Sequence, residues 1–244
     1  EGGKRLAAIL SRLAKEAVPG VTTKFLDELA EKWILESGGK PSFKNYANPM
    51  GKKDYPATLC VSINDEIVHG IPDKRTLKIG DIVGLDIGAW YEGLCTDTAV
   101  TVIIGDQTSP LDPPSLVRRG GEENIPPSLL AKEEGGLGDG GIIRAKRLVN
   151  ATKKSLELGI SKVKAGVRIG DIGFAIQNFL EKEGFGVVRE LVGHGVGNAV
   201  HEDPEIPNWG KLGTGTELLE NMVIAIEPMA TEGSPKVKLL NDGW

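Results

Sequence analysis

The chain has 244 residues, 40% of them hydrophobic, enough to bury a sizeable core as one large domain or two halves of ordinary domain size. A formal charge of -5 with scattered lysines leaves no electrostatic footprint for nucleic acid or anionic lipid, and no apolar run approaches the roughly 18 residues of a membrane span. No basic leader marks export, and two cysteines, Cys60 and Cys95, are too few for a disulfide framework, so a reduced, cytoplasmic protein is expected.

The first element is a helix over 4–17, where Leu6, Ile9, Leu10 and Leu13 recur at helical spacing. It begins without a methionine, and Asn241-Asp242-Gly243-Trp244 closes the sequence on a turn signal, so a single domain over 1–244, truncated at both ends, is expected. Next comes VPGVTTKFLDELAEKWILESG (18–38), which has an echo in VKAGVRIGDIGFAIQNFLEKEG (163–184). Gly20 meets Gly166, Leu26 meets Ile172, Trp33 meets Phe179 and Gly38 meets Gly184. Each copy reads as a turn and an amphipathic helix, and each follows another helical segment, 4–17 or 142–159. The echo extends to Val-His-Gly-Ile-Pro (68–72) against Val-His-Glu-Asp-Pro (200–204), and to IVGLDIG around Asp86 against MVIAIEP around Glu227. Two related halves, each helix-helix then strands, are implied, with a cleft between them that gathers their polar residues.

Residues 81–104 read as two strands joined near Tyr91-Glu92-Gly93. Strand alternation sets Val83, Leu85, Ile87 and Ala89 on one face and Asp86 on the other, a face cleared by Gly84 and Gly88. On the returning strand Asp97 shares a face with Cys95 and Ala99. A two-residue loop at 91–92 pairs Asp86 directly with Asp97, and a shift of two keeps both on one face. Carboxylates so placed inside apolar strands repel one another unless a cation lies between them. The stretch 106–140 is rich in Pro, Gly and charge and repeats PPSLVRRGG as PPSLLAKEEGG, so it is expected to be a disordered, solvated insertion.

GHGVGNAVHEDP (193–204) holds two of the three histidines. No helical pattern follows it, which argues against a phosphate loop, while His194 between two glycines suits close approach to a ligand. Glu227 is expected at the end of an apolar strand just before Pro228, where a buried carboxylate wants a cation or a donor. Asp86, Asp97, His194 and Glu227 thus form a candidate ligand set, carboxylate-rich as suits Mn, Fe, Co or Zn and as two-metal hydrolytic sites use it. His69 and His201 remain for hydrogen bonding to substrate or to a developing oxyanion.

YPATLCVSINDEIVHGIP (55–72), GDIVGLDIG with TDT after it, GHGVGNAVHEDP and IEPM, in that order, resemble the type I methionine aminopeptidases. The resemblance implies an α+β pita-bread fold, two pseudo-symmetric halves with a curved antiparallel sheet covered by helices. It implies two divalent metal ions on Asp86, Asp97, His194 and Glu227, with Asp97 bridging, and a bridging hydroxide whose proton Glu227 shuttles. In the same way His201 would steady the tetrahedral intermediate, His69 would hydrogen-bond the substrate near the scissile amide, and Tyr55, Cys60 and Trp244 would line the methionine pocket. A further glutamate ligand is expected on a strand past position 244, and Lys52-Lys53 stand where bacterial relatives often have Tyr-His. The implied substrate is the N-terminal methionine of a nascent polypeptide with a small second residue, met close to the ribosome by a monomeric enzyme. Two competing readings are a related exopeptidase acting on Xaa-Pro bonds and a pita-bread binding protein without catalysis.

Overall fold

The computed structural model describes residues 1–48, 52–106 and 139–244. The insertion expected at 106–140 lies almost wholly outside the described residues.

Helix α1 (Gly2–Glu16) buries Leu6, Ile9, Leu10 and Leu13, the stripe that its sequence spacing foretells. Helix α2 (Thr23–Glu36) begins at Thr22, whose hydroxyl accepts the Phe25 backbone N–H at 3.2 Å and so satisfies one of the free donors of the first turn. Both helices lie against an antiparallel sheet whose central strand is β3 (Ile82–Tyr91). β4 (Leu94–Ile103) pairs with one edge of β3, while β1 (Lys40–Pro41) and β2 (Leu59–Ile63) share the other. Val83, Leu85 and Ile87 point from β3 into a core with Leu26, Ile34, Leu59 and Val61, all buried. Asp27 on α2 accepts the backbone N–H groups of Thr58 and Leu59 at 2.8 and 2.9 Å, which fixes the start of β2 against the helix.

The second half repeats the plan. Helices α3 (Asp139–Ile160) and α4 (Ile169–Lys182) pack together, and Ile172, Ile176 and Leu180 join Phe185 and Ile206 in a separate core. The echo is reproduced in detail: Gly20 and Gly166 have φ of +86° and +84°, and Gly38 and Gly184 have +82° and +83°. Gly20 N–H donates to the Leu77 carbonyl just as Gly166 N–H donates to Leu218, and Thr22 bridges Thr76 as Arg168 bridges Glu217. The sheet of this half is in pieces. β5 (Gly186–Val187) pairs with β8 (Ala230–Thr231), and β6 (Gly193–Gly195) pairs with β7 (Glu202–Ile206).

Two sequence expectations need correction. The hairpin loop is Glu92-Gly93, not 91–92, because both loop residues must take positive φ (+50° and +84°) and Gly93 accepts that without strain. Asp86 therefore faces Ala99 and Asp97 faces Gly88, two positions apart on one face. Glu227 does not end a continuous strand either. The 221–229 stretch is held along one side by Ile224 bridging Gly195 and by Ala225 N–H donating to His194, but among the described residues no strand pairs with its other side.

Open space surrounds the position of a new Cβ at both Gly20 and Gly166, so their positive φ is the only obstacle to a side chain. Gly20→Ala and Gly166→Ala should each lower unfolding free energy by about 1 kcal/mol, and by similar amounts, in urea titrations. Clearly unequal losses would deny the two turns equivalent roles.

Candidate metal and catalytic site

The site lies where the two halves meet. β3 and β4 supply Asp86 and Asp97 from the first half, and β6 with the strand-like 223–227 stretch supplies His194 and Glu227 from the second. His194 is buried between glycines that are needed for packing. A Cβ at position 193 would stand 2.2 Å from the Ala225 carbonyl oxygen, and one at 195 would stand 2.4 Å from that of Asp203. The close approach anticipated for this segment is thus an approach of backbone to backbone. Gly88 is likewise not a clearing, since Ser42 and Phe43 fill the space beside it.

His194 Nδ1 lies 2.8 Å from the Gly195 carbonyl oxygen. A carbonyl only accepts, so Nδ1 carries the proton and Nε2 presents a lone pair. That lone pair faces Glu227 Oε1 at 3.3 Å and Asp97 Oδ2 at 3.9 Å. Asp86 is within hydrogen-bonding reach of Asp97. Asp86 Oδ1 and Glu227 Oε1 are sealed from solvent without a hydrogen-bond partner. The Glu227 backbone is fixed in place by the fully buried Asn208, whose side-chain amide donates to its carbonyl at 2.6 Å.

Burial raises the pKa of all three carboxyl groups. Asp86 is held well above the usual carboxylate range by desolvation and then by Asp97 and Glu227. Asp97 is raised by desolvation, partly offset by His194. Glu227 is pushed up to about 8 by desolvation and Asp97.

A set of acceptor atoms turned on one another, two of them orphaned, fits a divalent cation as the missing partner. Hard oxygen donors with one imidazole suit Mn, Fe, Co or Zn. Among the described residues no three His, Cys, Asp or Glu side chains are already closed on a single point, so the donors are gathered rather than drawn into a finished cage.

The other predicted residues surround this cluster. His201 lies with its ring centroid 4.3 Å from that of His194, and its Nδ1 is 2.7 Å from the Tyr46 hydroxyl. Desolvation of the ring, then His194 and His69, lowers the pKa of His201 to about 4, and burial lowers that of His69. His69 has φ of +58°, unusual for a side chain of its size, and is followed by Gly70, whose carbonyl accepts the Val61 N–H at 2.8 Å. Trp244 sets its ring edge-on to Tyr55 at 5.1 Å and to His69 at 5.8 Å, and its Nε1–H donates to the Lys53 carbonyl at 3.1 Å. Tyr55, Cys60 and Trp244 belong to one apolar cluster with Phe43, Cys95, Val196 and Val200. Cys60 faces Asp86 across β2 and β3, and burial followed by that carboxylate raises its thiol pKa well above normal. A groove of about 1550 Å³ runs past His69 and Trp244, but none of the four candidate ligands lines it. Tyr46 is the neighbour that sequence reasoning missed, because no motif or repeat marks it.

The sequence pattern of metallopeptidase family M24 matches residues 1–120 and 134–244. The chain belongs to this family. Residues 121–133 of the chain, which the pattern leaves unmatched, fall within the 106–140 stretch read from composition as an insertion. A methionine aminopeptidase from Clostridium perfringens is 38% identical over 244 residues, covering 100% of this chain and 82% of that protein. Methionine aminopeptidase 1 of Bacillus subtilis is 39% identical with the same coverage. The crystal structure of a methionine aminopeptidase from Thermotoga maritima superposes with a TM-score of 0.80 at 38% identity, over 100% of this chain and 82% of that one. The M24 pita-bread fold is therefore common to this chain and to solved relatives.

The raised carboxyl groups link stability to pH. An acid with a higher pKa folded than unfolded stabilises the fold while protonated, and that contribution disappears as pH climbs through the folded value. For Glu227 the window runs from the ordinary glutamate value of 4.5 to about 8. The metal-free protein should lose melting temperature across that window, Glu227→Gln should flatten the loss, and added divalent cation should reverse it in differential scanning fluorimetry.

Proposed function

We propose that this M24 metallopeptidase is a methionine aminopeptidase that removes the N-terminal methionine from newly made polypeptides, with Asp86, Asp97, His194 and Glu227 holding two divalent ions. The carrying observation is the His194 Nε2 lone pair set against Glu227 and Asp97, beside orphaned oxygens on Asp86 and Glu227. Divalent cations held there would supply Lewis acidity and a lowered pKa for water at neutral pH. Asp97, whose neighbours are both Asp86 and His194, would help to hold the cations together with them.

The remaining steps belong to the chain's own groups. Glu227 takes and returns a proton at its carboxylate, a role that suits a group with one orphaned oxygen inside the cluster. His201, neutral because its pKa is depressed to about 4, donates a hydrogen bond to the carbonyl oxygen as negative charge develops there. His69, pinned by its turn against β2, holds the substrate near the scissile amide. Tyr55, Cys60 and Trp244 offer an apolar wall for the methionine side chain, which fits an unbranched thioether well.

On this reading the enzyme is monomeric and meets its substrates in the cytoplasm near the ribosome, where new chains emerge. Among the described residues no helix is long and apolar enough to cross a membrane. The binding-only reading is not supported, since all four candidate ligands are present and gathered and the relatives are named as aminopeptidases.

The test uses the full chain stripped with chelator and then given Co, Mn, Fe or Zn separately. Methionine should be released from Met-Ala peptides only after metal is returned, and no turnover with any of the four would overturn the proposal. Faster cleavage of Ala-Pro than of Met-Ala would favour the Xaa-Pro reading. His194→Ala should lower kcat/KM on the order of a hundredfold or more and weaken metal binding in calorimetric titration. His201→Ala should lose about a hundredfold to a thousandfold, mainly in kcat, with metal binding retained.

A further inference from the structure

His201 is itself exposed, between Glu202 and the buried Val200, yet its ring is held on two sides, by His194 and by Tyr46. Tyr46 meets it edge-on, with centroids 5.1 Å apart and planes at 72°, and puts its hydroxyl 2.7 Å from Nδ1. Among the described residues that hydroxyl has no other hydrogen-bond partner. The phenol is a stronger acid than a neutral imidazole N–H, and the imidazole nitrogen is a better acceptor than the phenol oxygen. The shared proton therefore sits on the tyrosine, which donates to Nδ1.

With Nδ1 accepting, the ring's own proton is on Nε2. A neutral histidine that must donate to a developing oxyanion needs its N–H on the nitrogen turned to substrate, in one ring orientation. Without a partner at Nδ1 the ring could flip or change tautomer and present a lone pair where a donor is required. The backbone of Tyr46 is itself anchored: its N–H donates to the Phe43 carbonyl at 2.8 Å, and its carbonyl accepts the Tyr55 N–H at 2.9 Å. The hydroxyl that orients His201 is thereby tied to a wall of the methionine pocket.

We propose that Tyr46 is a positioning residue that holds His201 as the Nε2–H tautomer, ready to donate to the carbonyl of the scissile bond. The reaction assigned to His201 rests on the aminopeptidase reading, whereas the tautomer does not.

The variant is Tyr46→Phe, which keeps the ring contact and removes only the hydroxyl. In 15N spectra of the metal-free full chain at neutral pH, His201 should show a hydrogen-bonded, unprotonated Nδ1. Tyr46→Phe should erase that hydrogen-bond shift and lower the Nε2–H fraction. In the metal-loaded enzyme kcat for Met-Ala should fall about tenfold with KM changed less than about twofold, and no further fall should appear when Tyr46→Phe is added to His201→Ala. A merely structural tyrosine would lower the melting temperature and leave the His201 nitrogens unmoved. Unchanged 15N shifts, or an equal fall in the His201→Ala background, would overturn the proposal. A wild-type chain that releases no methionine but shows the Tyr46-dependent shift would sink the aminopeptidase reading and still support the tautomer assignment.

Discussion

Three carboxyl groups and an imidazole lone pair face one another in the interior of this protein, and with the carboxyl groups ionised every one of them is an acceptor. Such a cluster is unfavourable by itself, because burial removes the water that would stabilise each charge and the charges then repel. The raised pKa values of Asp86, Asp97 and Glu227 express that cost, which a proton meets in part and a divalent cation meets better. The fold has to hold these groups together against their own repulsion. It does so with rigid backbone, through the long ladder of β3 and β4 on one side and the glycine-mediated contact of 193–195 with 223–225 on the other.

The two histidines of the 193–204 segment resolve into different chemical species. His194 gives its Nδ1 proton to the Gly195 carbonyl and turns a lone pair toward the carboxylates, which is the form a cation needs. His201 takes a proton donor at Nδ1 from Tyr46 and so keeps its own proton on Nε2, which is the form an oxyanion needs. A carbonyl and a hydroxyl, one neighbouring each ring, set the division of labour. Depressed basicity at His201 keeps it neutral, so the donor adds no positive charge beside the candidate cation site.

Much of this was legible in the sequence. The internal echo predicted paired turns and helices, and the positive φ at Gly20, Gly38, Gly166 and Gly184 follows it residue by residue. Alternation along 81–104 put Asp86 and Asp97 on one face, because side chains in a strand leave no third choice. The register within the hairpin was not legible, since a slip of two preserves the face and only the φ demand at Glu92-Gly93 selects between the options. The surroundings of Glu227 were misjudged for a related reason. An apolar run announces burial, but whether it forms a strand depends on partners far away in the chain. Tyr46 left no trace in the pattern, for its role rests on a contact 155 positions distant with His201.

The pseudo-symmetry explains why the ligands divide as they do. In each half the two candidate ligands sit on backbone segments joined by hydrogen bonds, β3 with β4 in the first and β6 with 223–225 in the second. Neighbouring segments of this kind hold two side chains at a nearly constant separation, so each half presents a rigid pair. The apolar cluster of Tyr55, Cys60 and Trp244 also takes in Val196 and Val200 from the second half. Side chains of the proposed methionine pocket therefore double as packing between the halves, and a substitution that loosens that packing would move one ligand pair against the other. On the proposed reading, selectivity for the side chain and affinity for the cation would be coupled by this shared interface, even though no atom of Tyr55 or Trp244 is asked to touch a metal.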